Sequence, residues 1–66
     1  MKLKINGEDH HFEKRLTLKA LLRELGLDEK PVVVELNREA LAPSEFETRE
    51  LCDGDQLEVI TIAAGG

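Results

Sequence analysis

Thr17-Leu18-Lys19-Ala20-Leu21-Leu22-Arg23-Glu24-Leu25-Gly26 is the stretch that decides how this chain folds. Leu18, Leu21, Leu22 and Leu25 fall at i, i+3, i+4 and i+7, a single apolar stripe on an α-helix. Lys19, Arg23 and Glu24 sit away from that stripe. Thr17 is placed to cap the helix, since its side-chain oxygen can accept an orphan backbone N–H. Gly26 can end the helix in a left-handed turn, and Pro31 opposes a restart. A helix of about two and a half turns does not persist in water by itself. It needs a surface to cover, and the sequence on either side supplies one.

Upstream, Met1, Leu3 and Ile5 alternate with Lys2, Lys4 and Asn6, the period of a strand with one buried face. Asn6-Gly7 is a strong hairpin signal because both residues tolerate positive φ. The return segment sets Phe12 and Leu16 on one parity, with His10 on the same side but near the turn and expected to stay wet. Downstream, Val32-Val33-Val34-Glu35-Leu36 begins like a buried central strand, with Val32, Val34 and Leu36 on one side. Asn37-Arg38 is a turn, and Glu39–Ala42 a short edge strand closed by Pro43. Ser44–Glu47 is a helical turn that drops Phe46 toward the core. Leu51 precedes Asp53-Gly54-Asp55, a turn rich in residues that bond their own backbone. The last strand, Gln56–Ile62, turns Leu57 and Val59 inward and Ile60 and Ile62 to the opposite face. The order ββαβ(β)β puts one helix on one face of a small mixed sheet, an α+β two-layer domain.

Sixty-six residues make one domain, with 41% hydrophobic and 35% charged residues. Two phenylalanines are the only aromatic residues, so the core is aliphatic. A single cysteine forms no internal disulfide, which suits a reducing cytoplasm. The alternating amino terminus has neither the apolar run of a secretion signal nor a membrane span. A net charge of -5 repels phosphate backbones, so the expectation is no nucleic acid and no membrane. It favours a basic patch on another protein.

The strand at 56–62 runs into Ala63-Ala64-Gly65-Gly66. There every side chain shrinks to a methyl group or a hydrogen. At about 7% glycine usage a terminal pair arises by chance roughly half a percent of the time. Without Cβ atoms, Gly65 and Gly66 let the backbone approach another surface closely. The expected division is a domain at 1–62 and a flexible Gly-Gly tail at 63–66. Such a tail can thread a narrow slot and deliver the Gly66 carboxylate to a bound nucleotide.

Together these pieces resemble a known family, the ThiS sulfur-carrier proteins of thiamine biosynthesis, with their ubiquitin-like β-grasp fold. The resemblance lies in Asn6-Gly7-Glu8, Thr17-Leu18 with Leu21-Leu22, Val34-Glu35-Leu36-Asn37, Pro43, Leu51 with Asp53-Gly54-Asp55, and Gly65-Gly66. These span nearly the whole chain, although Ala63-Ala64 stands before the pair where a third glycine could. The resemblance implies a protein co-substrate and not an enzyme. A ThiF-type adenylyltransferase would use ATP to convert the Gly66 carboxylate to an acyl-adenylate. Sulfur from a persulfide donor would displace AMP and leave a thiocarboxylate, and thiazole synthase would take that sulfur. Ala63, Ala64 and Gly65 would thread the partner's active site. No cofactor of its own is expected. Relatives on the same fold leave other readings open: a sulfur carrier for molybdopterin or other sulfur metabolism, a ubiquitin-like protein modifier, or a plain binding module.

Other residues carry weaker signals. His10 and His11 beside Glu8-Asp9 suggest a metal site, but neighbours on a strand point to opposite faces and no second ligand pair follows. Asp53-Gly54-Asp55 lacks the remaining oxygens of a calcium loop. No metal site and no catalytic residue are therefore expected. Cys52 has no histidine or basic residue beside it in sequence and reads as a small, partly buried filler. Ile60 and Ile62 are either covered by loops or form an apolar patch, rimmed by charge, that docks the adenylyltransferase.

Overall fold

A computed structural model describes residues 1–62 of the chain. Five strands and one helix appear in the expected order: β1 (Lys2–Ile5), β2 (Glu8–His11), α1 (Leu18–Glu24), β3 (Val32–Leu36), β4 (Glu39–Leu41) and β5 (Gln56–Thr61), with a 3₁₀ turn at Pro43–Glu45. The strands form one mixed sheet in the order β2-β1-β5-β3-β4. The last strand thus lies at its centre, parallel to β1 and antiparallel to β3.

Two asparagine-led turns fix the register. Asn6 and Gly7 have φ of 50° and 83°, and Asn37 and Arg38 have φ of 50° and 71°. Positive φ at both central residues gives a hairpin loop whose twist matches that of its strands. The loops join Ile5 opposite Glu8 and Leu36 opposite Glu39. Asn37 also bonds beyond its turn. Its Oδ1 accepts the Gln56 N–H at 3.0 Å and its Nδ2 donates to Asp55 Oδ1 at 3.0 Å, which locks the start of β5.

The short helix is held at both ends. Its first backbone N–H groups have no partner within the helix. Leu18 donates to the Arg49 carbonyl (2.9 Å), Lys19 to the Phe46 carbonyl (3.0 Å) and Ala20 to Thr17 Oγ1 (3.2 Å). The loop at 46–49 therefore supplies what a longer helix would obtain from itself, and the Thr17 cap contributes about 1 kcal/mol. At the other end Gly26, with φ of 75°, donates to the Arg23 carbonyl, and Leu27 donates to the Leu22 carbonyl. This is the paired-bond ending that a left-handed residue permits.

Leu18, Leu21 and Leu22 of the helix share one core with Leu3, Ile5, Val34, Leu36, Leu41, Leu51, Leu57 and Val59. Phe12, Leu16, Leu25, Val32 and Phe46 pack against its margin. The inward parity expected of β1, β3 and β5 is what places these residues together.

Three local expectations differ. Val33 is not part of a fully buried strand; it is 45% exposed on the face away from the helix, because no second layer covers that side. Cys52 is exposed, not a buried filler, because it lies in the turn after Leu51. His10 is half-buried rather than wet, its ring stacked on Phe12 with centroids 6.4 Å apart.

Candidate functional site

The site is built around the end of β5, where the chain leaves the sheet. β1 pairs with β5 only through Lys4 opposite Gln56 and Ile5 opposite Leu57. The Asn6 side chain then replaces one further step of ladder. Its Nδ2 donates to the Val59 carbonyl at 3.0 Å, and its Oδ1 accepts the Val59 N–H at 2.8 Å. A side-chain amide carries the donor and acceptor of a peptide unit, so the central strand stays fully bonded where β1 turns away. Beyond Val59, β5 has a strand only on its β3 side. Ile60 lies opposite Val33 and Thr61 opposite Val32, and the Ile62 N–H donates to the Pro31 carbonyl at 2.9 Å. The backbone is thus held as far as Ile62.

Ile60 and Ile62 are both exposed, with different neighbours. Ile60 is 60% exposed and stands beside Val33 on the open sheet face. Ile62 is 51% exposed and lines a cleft of about 390 Å³ with Leu22, Leu27, Pro31, Val32 and Phe46, at the end of the helical layer. Ile62 lies one residue past β5, where the alternation of a strand no longer fixes its direction. Among the described residues no loop covers either side chain.

The expected site of modification, Gly66, and the tail residues Ala63, Ala64 and Gly65 lie outside the described residues. Two site features escaped the sequence reading. Val33 was hidden in a three-valine run, although its parity opposite Val34 was available as a signal. Asn6 in sequence signals only a turn, and nothing local marks its bond to a residue 53 positions away.

The side-chain chemistry of the rest is plain. His10 and His11 are adjacent on β2 and alternate in burial, half-buried then exposed. Among the described residues no three His, Cys, Asp or Glu side chains gather as they would around a metal ion. No helix among them is long and apolar enough to cross a membrane. Lys19 donates a hydrogen bond to Glu47, and this bond with the lysine's charge holds the Glu47 carboxyl below the usual range. Both groups are exposed, so water screens the pair.

Known proteins place these features in context. The model of the ThiS family matches residues 3–66. A sulfur carrier protein ThiS from Thermus thermophilus is 44% identical over 62 residues, covering 94% of this chain and 95% of that one. A thiazole synthase from Paramagnetospirillum magneticum is 44% identical over 66 residues, covering all of this chain. The chain spans only 20% of the length of that synthase. The crystal structure of a thiamine biosynthesis protein, ThiS, from Geobacter metallireducens superposes with a TM-score of 0.84 at 32% identity, covering all of both chains. The sheet order, the single helix and this superposition together make the fold the ubiquitin-like β-grasp.

Proposed function

We propose, from the premise that this chain belongs to the ThiS family, that it is the sulfur carrier of thiazole formation in thiamine biosynthesis and works through the carboxyl group of Gly66. The observation that carries this reading is the match from residue 3 to residue 66, which runs through the terminal Gly65-Gly66 pair. The well-bonded exit of β5 at Ile62 supports it.

A carboxylate at neutral pH is a poor electrophile. In the proposed reaction a Gly66 carboxylate oxygen attacks the α-phosphorus of ATP in a ThiF-type adenylyltransferase, and pyrophosphate leaves. The acyl-adenylate now has a good leaving group. A persulfide sulfur adds to its carbonyl carbon, AMP departs with the electron pair, and reduction of the S–S bond by a thiol of the sulfur-donor system releases the thiocarboxylate. Thiazole synthase then takes the sulfur. The similarity to part of a thiazole synthase supports that enzyme as the acceptor. The chain is the co-substrate in this scheme; ATP and the sulfur donor belong to its partners, and the setting is the cytoplasm.

The geometry also favours docking beside the tail. Four residues follow Ile62. Fully extended they reach at most roughly 14 Å. An enzyme that holds Gly66 in its active site must therefore rest against the end of β5, where Ile60 and Ile62 are exposed. Ala63, Ala64 and Gly65 are the residues that would pass through its slot.

The test is ATP–pyrophosphate exchange by the adenylyltransferase. Addition of the full chain should start exchange, and deletion of Gly66 should abolish it without altering the unfolding curve. Equal exchange with the shortened chain would refute this assignment.

A further inference from the structure

The open face of the sheet carries an apolar pair and, next to it, a pair of carboxylates with no partner. Ile60 lies opposite Val33, and two residues along the same strands Glu58 lies opposite Glu35. All four are exposed. Directly opposite side chains have Cβ atoms about 5 Å apart, and like charges there disfavour the fold. Five other acidic residues lie beside cations: Asp9 by Lys2, Glu47 by Lys19, Asp28 by Arg23, and Glu39 and Glu45 by Arg49; what sets Glu35 and Glu58 apart is that they are held directly opposite each other in the ladder. Among the described residues neither Glu35 nor Glu58 joins an ion pair. By register the nearest cation on this face is Lys4, opposite Gln56 and on the far side opposite Asp9; Glu35 has Ala40 as its other neighbour.

We infer that this strip is read by the activating enzyme through an arginine set among aliphatic side chains: the guanidinium forks between Glu35 and Glu58 while its neighbours cover Val33 and Ile60. The inference rests on the docking surface proposed above and names the chemistry of its partner. Two carboxylates side by side match the planar, multi-donor guanidinium better than a lysine point charge. The apolar part is too small to define an interface, since about 800 Å² per partner is usual. Charge must then supply much of the specificity and the speed of encounter. A carrier that has to leave its enzyme after each turnover suits that balance. The net charge of -5 draws the same kind of partner from a distance.

The full chain with Glu35→Gln and Glu58→Gln, compared with the unsubstituted chain in pyrophosphate exchange at low and high salt, tests this. The expected result is a KM for the chain raised roughly tenfold or more at low salt, an unchanged kcat, and a weaker dependence of KM on salt. Thermal unfolding should be unchanged or shifted upward, because a repulsive pair has been removed. Unchanged KM and salt dependence in the variant would overturn this inference and leave the adenylation reading standing. No exchange with the unsubstituted chain would overturn both.

Discussion

Replacing Leu21 with alanine is expected to destabilise the domain by about 3 kcal/mol, the usual range for a leucine truncated in a closed core. Leu21 is fully buried, at 0% exposure, in the middle of α1. It belongs to the cluster that joins the helix to Leu3, Val34 and Leu57 of the sheet and to Leu51 of the loop before β5. A helix of seven residues has little stability apart from that contact. Small globular domains have roughly 0.05–0.15 kcal/mol of stability per residue, so about 3–10 kcal/mol is available here. The substitution removes a large share of it. For a domain of this size the thermal midpoint should fall by about 15 °C or more. Chemical denaturation of both proteins checks this. A change below about 0.5 kcal/mol would mean that the helix does not close the core.

Ile60→Asp is expected to do the opposite, leaving the fold in place and removing the activity. The side chain is 60% exposed, so no cavity forms on substitution. Lower strand propensity should cost at most about 1 kcal/mol. At the centre of a docked surface, however, the new carboxylate would lose its water without gaining a partner. Together with the lost apolar contact, this should lower kcat/KM for adenylation by roughly a hundredfold. Val33→Asp, directly across the ladder, should behave alike. Ile62→Asp probes the separate cleft beside Leu22 and Phe46. Wild-type turnover by a folded Ile60→Asp protein would remove the open sheet face from the interface.

Much of this architecture could be read from residue order, because the signals were periodic or tied to particular φ angles. The leucine stripe, the alternation in β1 and the two asparagine-led turns each have a local cause, and each appears where expected. Signals that depend on long-range context were not readable. Val33 sits among valines, and only the absence of a second layer leaves it exposed. Cys52 has a composition that suits burial and a location that prevents it. Ile62 keeps the parity of Ile60 in sequence, yet it has left β5 and lines a cleft formed by the helix and the following loops. The asparagine of the first turn also completes the central strand 53 residues later, a pairing that only the parallel β1–β5 neighbourhood creates.

The most direct measurement of the central claim is the intact mass of the full chain after incubation with the adenylyltransferase, ATP and a persulfide source. The mass should increase by the difference between one sulfur and one oxygen atom, with fragmentation placing the change on Gly66. An unchanged mass under conditions where the enzyme consumes ATP, or a change placed on any other residue, would contradict it.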